Sequence, residues 1–475
     1  MIIENLNDLN NKDHFAIIIG SGPAGITTAL ELESKKIKSI ILEAGDITQN
    51  ESSMKFLKAR VSGDSYSDLS TSRLRQFGGA SGHWGGNCNP LSKVNFNDWP
   101  VNNDDLDNYD YKARKILNLN HKKKFYLEKF SENLNLYNLM WSNVRFGEKY
   151  LNHIKKSRNI FLSLNTNFLN FIGDNKSIKS LICSKNNNTY KLKSKFYILS
   201  CGGIENSRLL LLSKSKNKNL FNPRLPIGNY YMDHPYHNVG TGLLIYEKFI
   251  EYFNKKKIYN KPLLTCQNDI NISANNNFLL KKKIPNGGLY VSFKNINESN
   301  DLFKQVRCVA PKFIKNIYEK LKVKKTYKIN LGILQEQVPN FDNKIILDYK
   351  KDPSNVPLPI IHWKKSNSER NSAKLISEEL SKIFIDNDIG RISLNEYLYN
   401  NNDYDVIAGN HQLGGTRIGH NISDSVVDKN LKVHNIKNLF INGSSIFRTG
   451  GHTHPTFTII KFALRLADHL SKTSV

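Results

Sequence analysis

Cysteine is scarce and scattered in this chain of 475 residues: Cys88, Cys183, Cys201, Cys266 and Cys308 form neither a C-x-x-C nor a C-x-x-x-x-C pair. The odd number and wide spacing fit a reducing compartment and exclude a zinc ribbon and a dithiol flavin reductase. Each cysteine reads as a small buried apolar residue, with Cys88, beside a glycine-rich segment, the one in a setting worth following. Long apolar runs are missing as well, so no transmembrane segment is expected. Nothing before Phe15 resembles a secretory signal, because the residues there are acidic and Asn-rich and a strand begins almost at once. The expectation is a cytoplasmic protein, with export or tethering by a carrier subunit left open.

Acidic residues are outnumbered, 42 Asp and Glu against 68 Lys and Arg, for a formal net charge of +26 at pH 7. Such a balance raises the question of nucleic acid. The lysine triplets at 122–124, 255–257 and 281–283 lie in polar, loop-like surroundings, dispersed and not interleaved with aromatics. No specific nucleic-acid partner is therefore expected, and a chain rich in Lys, Asn and Ile also reflects biased composition. A polyanion-binding protein with a silent fold stays as the alternative from a different class.

What is present is a phosphate-binding opening. A short apolar run, Phe15 to Ile19, meets Gly20, Gly22 and Gly25 at the spacing G-x-G-x-x-G, with Pro23 and Ala24 between, and a helix-like stretch follows to about Glu33. The first glycine permits a tight turn, the second lets a pyrophosphate touch the backbone, and the third lets helix and strand pack closely. A second strand, Ser39 to Leu42, ends at Glu43, whose carboxylate is placed to bind both ribose hydroxyls of an adenosine. Strand, glycines, helix, strand and terminal Glu in this order point to dinucleotide binding.

At this length two domains are expected. After the opening, a loop-rich stretch reaches Gly78-Gly79-Ala80-Ser81-Gly82-His83-Trp84-Gly85-Gly86, where the glycine density signals unusual backbone angles or close ligand approach. From Asn159 to Leu199 the pattern reads as a small β meander, its last strand running into Cys201-Gly202-Gly203 and a helix at Ser207 to Leu212. That second glycine corner lacks the full fingerprint, so a second dinucleotide site is not expected. Between about Tyr236 and Asp403 the chain is strand-rich, with a helical period over Ser366 to Asp386. It returns to α/β character with a strand at Asn438 to Ile441 and an amphipathic helix at Thr456 to Leu470.

Histidine marks the candidate chemistry. His411 lies in Asn410-His411-Gln412-Leu413-Gly414-Gly415-Thr416-Arg417, and His452 and His454 lie in Gly450-Gly451-His452-Thr453-His454-Pro455-Thr456. An imidazole titrates near neutral pH and suits proton transfer. No Asp, Glu or Cys nearby completes a metal-ligand set around His452 and His454.

Together these segments resemble the glucose-methanol-choline (GMC) family of flavin oxidoreductases. The carriers of the resemblance are Gly20 to Gly25 with Glu43, the segment 78–86, Asp98-Trp99-Pro100, Ile227-Gly228-Asn229 through Met232-Asp233-His234-Pro235, the segment 411–416, Asn442-Gly443-Ser444-Ser445, and 450–456. They occur in the family's order from Gly20 to Leu470 and weaken between about 240 and 403. The resemblance implies an α/β fold with a Rossmann-type FAD-binding domain, discontinuous in sequence (1–95, 155–240 and 404–475). A second, antiparallel-sheet-rich substrate domain would comprise 96–154 and 241–403.

It also implies an FAD-dependent alcohol dehydrogenase or oxidase acting on a small polar alcohol or sugar, polyol or glycoside. His411 would accept the hydroxyl proton and His454 would orient the same oxygen. FAD would be held by Gly20, Gly22, Pro23, Ala24, Gly25, Glu43, Gly79, Ser81, His83, Trp84, Gly85, Asn442, Gly443, Ser444 and Thr456. Covalent attachment through His83 stands beside a non-covalent contact as a second option. Asn442 occupies a position where many members carry an acidic residue, and His452 is an additional histidine. The electron acceptor (oxygen, a quinone or a redox protein) stays open, and so does a flavoprotein reductase using NAD(P)H.

Overall fold

The structure is a computed structural model that describes residues 1–9, 15–120, 125–258, 270–295, 326–400 and 403–473. The lysine triplet at 122–124, Cys266 and Cys308 lie outside the described residues.

Five wholly buried parallel strands form the first sheet, in the order Leu439–Ile441, Phe196–Leu199, Ala16–Ile19, Ser39–Leu42, Ile160–Ser163. Burial on both faces explains why these strands read as unbroken apolar runs and not as alternating ones. By position along the chain the order is 5-4-1-2-3, a doubly wound arrangement that reverses direction between Ala16–Ile19 and Phe196–Leu199. Ligands of such sheets bind outside the carboxyl ends of the strands at that reversal. Gly20 leaves one of the two strands and the Cys201-Gly202 corner leaves the other, so both glycine turns open on the same crevice.

The expected β meander over 159–199 is corrected. Ile160–Ser163 and Phe196–Leu199 belong to the parallel sheet, and only Asn167–Gly173, Ile178–Lys185 and Asn188–Leu192 form an antiparallel meander. Strand type cannot be told from a short apolar run alone, and the two flanking runs paired with the first sheet instead. The helix expected at 207–212 begins earlier, at Gly202, and runs to Lys216.

A larger, mainly antiparallel sheet is built around Pro235–Ile245, Thr326–Gln335, Gly287–Asn295 and Ile270–Ala274. One of its faces is apolar: Leu136, Ile272, Leu289 and Ile333 stand in one cross-strand row and bury themselves with Ile376, Leu380 and Phe384. Those last three come from the helix Asn367–Asp386, whose capping box joins Ser366 to Glu369. The adjacent row, Tyr137, Asn271, Tyr290 and Gly332, places its side chains on the opposite face. Among the described residues one core surrounds the parallel sheet, a second the antiparallel one, and a smaller third gathers Tyr231, Ile345, Ile361 and Trp363. Among the described residues no helix is long and apolar enough to cross a membrane.

Candidate active site

A cavity of about 740 Å³ opens at the reversal point of the parallel sheet. Gly20, with φ +99°, makes the turn out of the first strand, and Gly25 sits where any Cβ would overlap the Gly20 carbonyl oxygen. Gly25 is therefore required by helix-to-strand packing and lies off the cavity wall. Gly22 differs from both. Its φ of −68° suits any residue, and an added Cβ would meet no protein atom within 4 Å. Nothing in the polypeptide explains glycine there, whereas a ligand lying against the backbone would.

Glu43 is buried at the cavity wall, and burial pushes its carboxyl upward in pKa. Its Oε2 accepts from the Ser21 amide (3.0 Å) and hydroxyl (2.6 Å), and Oε1 accepts from the Gly45 amide (2.8 Å). These bonds fix the carboxylate and leave acceptor capacity for a ligand's hydroxyls. Arg75 lies nearby, its guanidinium 3.9 Å from the Phe56 ring centre and bonded to Asn167.

The segment 78–86 covers the glycine turn. Gly78 and Gly79 have positive φ, and a Cβ on Gly79 would come within 3.1 Å of the Gly22 Cα. Ser81 donates to the Gly78 carbonyl (2.6 Å) and accepts from the Phe146 amide (3.1 Å), while Trp84 Nε1 donates to the Val144 carbonyl (2.9 Å). Together these bonds hold the segment against the helix Phe146–Lys156. Gly85, like Gly22, has no protein atom within 4 Å of an added Cβ. His83 is on the wall, its pKa lowered by burial.

Gly443, Ser444 and Thr456 reach the same cavity from the C-terminal segment. Asn442 does not. It is fully buried, donates through Nδ2 to Thr28 Oγ1 (3.0 Å), and its own carbonyl accepts from Asn206 (3.0 Å). Its amide side chain thus ties the last strand to the helix Pro23–Ser34 behind the wall. The helix Thr456–Lys472 starts at the cavity, and Asp98-Trp99-Pro100 explains how its approach is held: Trp99 stacks on Phe462 and donates to Thr449 Oγ1 (3.0 Å).

His411 and His454 meet on the wall with ring centres 4.6 Å apart, inclined at 73°. Burial drives both imidazoles down in pKa, His454 to about 4 and His411 well below its ordinary value, with His454 and His234 adding to the effect on His411. Both are neutral at pH 7, which is the state that can accept a proton. His452 is buried off the wall, 5.2 Å from Tyr137 between ring centres, with neither nitrogen hydrogen-bonded. Arg417 and Arg448 serve packing: both turn to Asp424, and Arg417 lies 3.3 Å over the Tyr230 ring.

Two features of the site went unassigned in the sequence. His234 lies against His411, Nδ1 to Nδ1 at 2.8 Å, and the signal for it was the Met232-Asp233-His234-Pro235 run itself. A buried ionic chain also borders the cavity: Glu205 joins Arg73 (2.8 Å) to Arg208 (3.0 Å), and Arg208 joins Asp352 (2.7 Å). These partners are 132 and 144 residues apart, and nothing in the local sequence announces the pairing. Cys88, the cysteine singled out above, is fully buried, its thiol raised to about 12 by desolvation, and is inert. Among the described cysteines, Cys201 is the one that reaches the wall. Among the described residues no cluster of His, Cys, Asp and Glu is placed to hold a metal ion.

Residues 339–463 match the family model described as GMC oxidoreductase. The chain is 23% identical over 286 residues to the fructose dehydrogenase large subunit of Gluconobacter japonicus, covering 59% of this chain and 48% of that protein. It is 25% identical over 296 residues to 2-methyl-1,2-propanediol dehydrogenase of Mycolicibacterium austroafricanum, covering 60% and 49%. The matched segments span about half the length of these curated relatives. Among solved structures, pyridoxine 4-oxidase from Mesorbium loti shares the fold with a TM-score of 0.59 at 14% identity, over 96% of this chain and 99% of that one. Formate oxidase does so with a TM-score of 0.56 at 15% identity, over 97% and 98%. The family match falls in the segment that carries His411 and His454, and the fold is shared with these solved structures along nearly the whole chain.

Proposed function

We propose that this chain is an FAD-dependent oxidoreductase that oxidises a CH–OH group of a sugar, polyol or glycoside-like alcohol. The observation that carries the reading is the meeting, in one cavity, of a dinucleotide-type glycine turn and two neutral imidazoles. Gly22 and Gly85 present bare backbone with free space above it, as a bound dinucleotide requires. Glu43 would hold the ribose hydroxyls, and Gly443, Ser444 and the start of the helix at Thr456 would close around the group from the other side. The helix's positive end favours negative charge placed before it. In this division residues 1–95, 155–240 and 404–475 hold the cofactor, and 96–154 with 241–403 form the substrate domain.

FAD, when bound, supplies an acceptor for the hydride that leaves the alcohol carbon. His411, neutral and buried, accepts the hydroxyl proton. His454, beside it, donates or accepts a hydrogen bond to the same oxygen and so fixes its direction. A polar substrate is supported by the polar side chains on the cavity wall, among them Asn87, Asn167, Asn410 and Gln412. Gly202 and Gly203 border the same cavity as Gly22, so the second glycine corner supports one nucleotide site.

The test is anaerobic titration of the purified flavoprotein with a panel of sugars, polyols and simple alcohols, followed by absorbance. Bleaching by a member of the panel is expected, and readmitted oxygen then separates oxidase from dehydrogenase. Rapid bleaching by NADPH, with none by any alcohol, would overturn the reading. Protein unfolded after purification reports whether flavin stays with His83 or is released.

A further inference from the structure

We propose that His234 is a positioning residue that fixes the tautomer of His411, holding the proton of His411 on Nδ1 so that Nε2 offers its lone pair to the cavity. The inference rests on the role given to His411 above.

The 2.8 Å contact between the two Nδ1 atoms is a hydrogen bond between rings that are both neutral, so one nitrogen donates and the other accepts. The direction decides the chemistry. Were His234 the donor, His411 would carry its proton on Nε2 and have no lone pair left for a substrate. Were His411 the donor, Nδ1 would be committed to His234 and Nε2 would be the basic atom.

The surroundings of His234 select the second arrangement. Its other nitrogen, Nε2, points to the Gly450 backbone: a Cβ on Gly450 would lie 2.6 Å from it. Nε2 has no hydrogen bond of ordinary geometry, yet the Gly450 backbone favours a proton on this ring. A backbone group that does so is a carbonyl accepting from N–H. A proton on His234 Nε2 leaves its Nδ1 as an acceptor, and the proton between the rings then belongs to His411.

The pair is held in register by Asp233. Its Oδ1 accepts from the backbone amides of both His234 (2.7 Å) and His411 (2.9 Å), and Tyr66 donates to its Oδ2. One buried carboxylate thereby aligns the two chain segments whose rings must touch. When His411 takes the hydroxyl proton at Nε2 it becomes a cation with two N–H groups. The existing Nδ1–H bond to His234 becomes charge-assisted and strengthens as the charge develops. No proton leaves His411 in this step. The logic is that of an orienting residue behind a catalytic imidazole, with an imidazole in the place usually taken by a carboxylate.

The decisive readout is the ¹⁵N spectrum of histidine-labelled, flavin-loaded protein at rest, in which the two neutral tautomers give different shift patterns. His411 is expected as the Nδ1–H form in the wild type. In His234→Ala that preference should be lost, with the limiting rate of flavin reduction down about a hundredfold and substrate affinity little changed. His234→Asn, which keeps an acceptor oxygen, should recover most of both. An Nε2–H tautomer of His411 in the wild type would overturn the proposal, and this holds even if His234→Ala does not fold. A His234→Ala protein reducing at the wild-type rate, while His411→Ala is slow, would overturn it as well. Normal reduction by His411→Ala would instead remove the role assigned to His411, and the spectrum would still decide the tautomer.

Discussion

Gly203 lies directly against Gln412: a Cβ on Gly203 would overlap the Gln412 carbonyl oxygen. The first turn of the helix Gly202–Lys216 therefore acts as a stop behind the segment that carries His411. Gly203→Ala should push residues 410–412 outward while leaving the glycine turn at Gly20–Gly25 untouched. A displacement near 1 Å at a reacting group costs about a hundredfold in rate. Stopped-flow reduction of the variant, with its flavin content measured alongside, checks this. An unchanged rate would mean that His411 does not depend on this contact.

Two glycines of one motif should respond in opposite ways. Gly22→Ala meets no protein atom and needs no new backbone angle, so the apoprotein should keep its stability or gain up to about 1 kcal/mol. Its affinity for FAD should fall about tenfold or more, because the methyl group takes space left for the ligand. Gly25→Ala collides with the backbone of Gly20 and should destabilise the apoprotein by about 3 kcal/mol or more. Denaturant unfolding and flavin titration separate the two outcomes.

Acid should affect rate and stability in different ranges. A protonated imidazole cannot accept a proton, so reduction is lost as pH falls through the folded-state pKa values of His411 and His454. Both are depressed, His454 to about 4, so the rate should hold through about 6.5 and fall near 4. An acid limb at the ordinary histidine value would contradict this.

For stability, His452 stays neutral in the fold down to about 4 while the unfolded chain takes up its proton below about 6.5. Stability therefore drops as pH falls through that window. His234, His237 and His454 act in the same direction, and Asp233, raised to about 6, opposes them above its ordinary value of 3.8. His452→Asn should lessen the loss by about 1.4 kcal/mol per pH unit, measured by unfolding between pH 6 and 5. Parallel slopes for the two proteins would count against a neutral buried His452.

The ionic chain beside the cavity holds together distant segments. Arg208 bonds Glu205, Asp352 and the carbonyl of Pro357, and its side chain and that of Asp352 are each 5% exposed. Arg208→Leu strands the buried Asp352 carboxylate, leaves Glu205 with Arg73 alone, and should cost about 3–5 kcal/mol. Chemical denaturation measures it, and a loss under 1 kcal/mol would show that water reaches these carboxylates.

How much of this was legible in the sequence depended on range. The glycine turn, the strand ending at Glu43 and the capped helix after Ser366 are local, and each is written within a few residues. Pairing was not: Ile160–Ser163 and Phe196–Leu199 look like neighbours of the meander they flank, yet each finds its partner in the first sheet. Asn442 sat in a recognisable segment, but its side chain turned inward to Thr28, a choice made by the packing of a strand on a distant helix. His234 was visible as part of a motif, while its contact with His411 bridges 177 residues and exists only once Asp233 has aligned both segments.

The most direct test is single-turnover reduction of the His411→Ala flavoprotein by a substrate that bleaches the wild type. With flavin content retained, bleaching should slow by about a hundredfold or more. Bleaching at the wild-type rate would show that the imidazole facing this cavity takes no part in removing the proton.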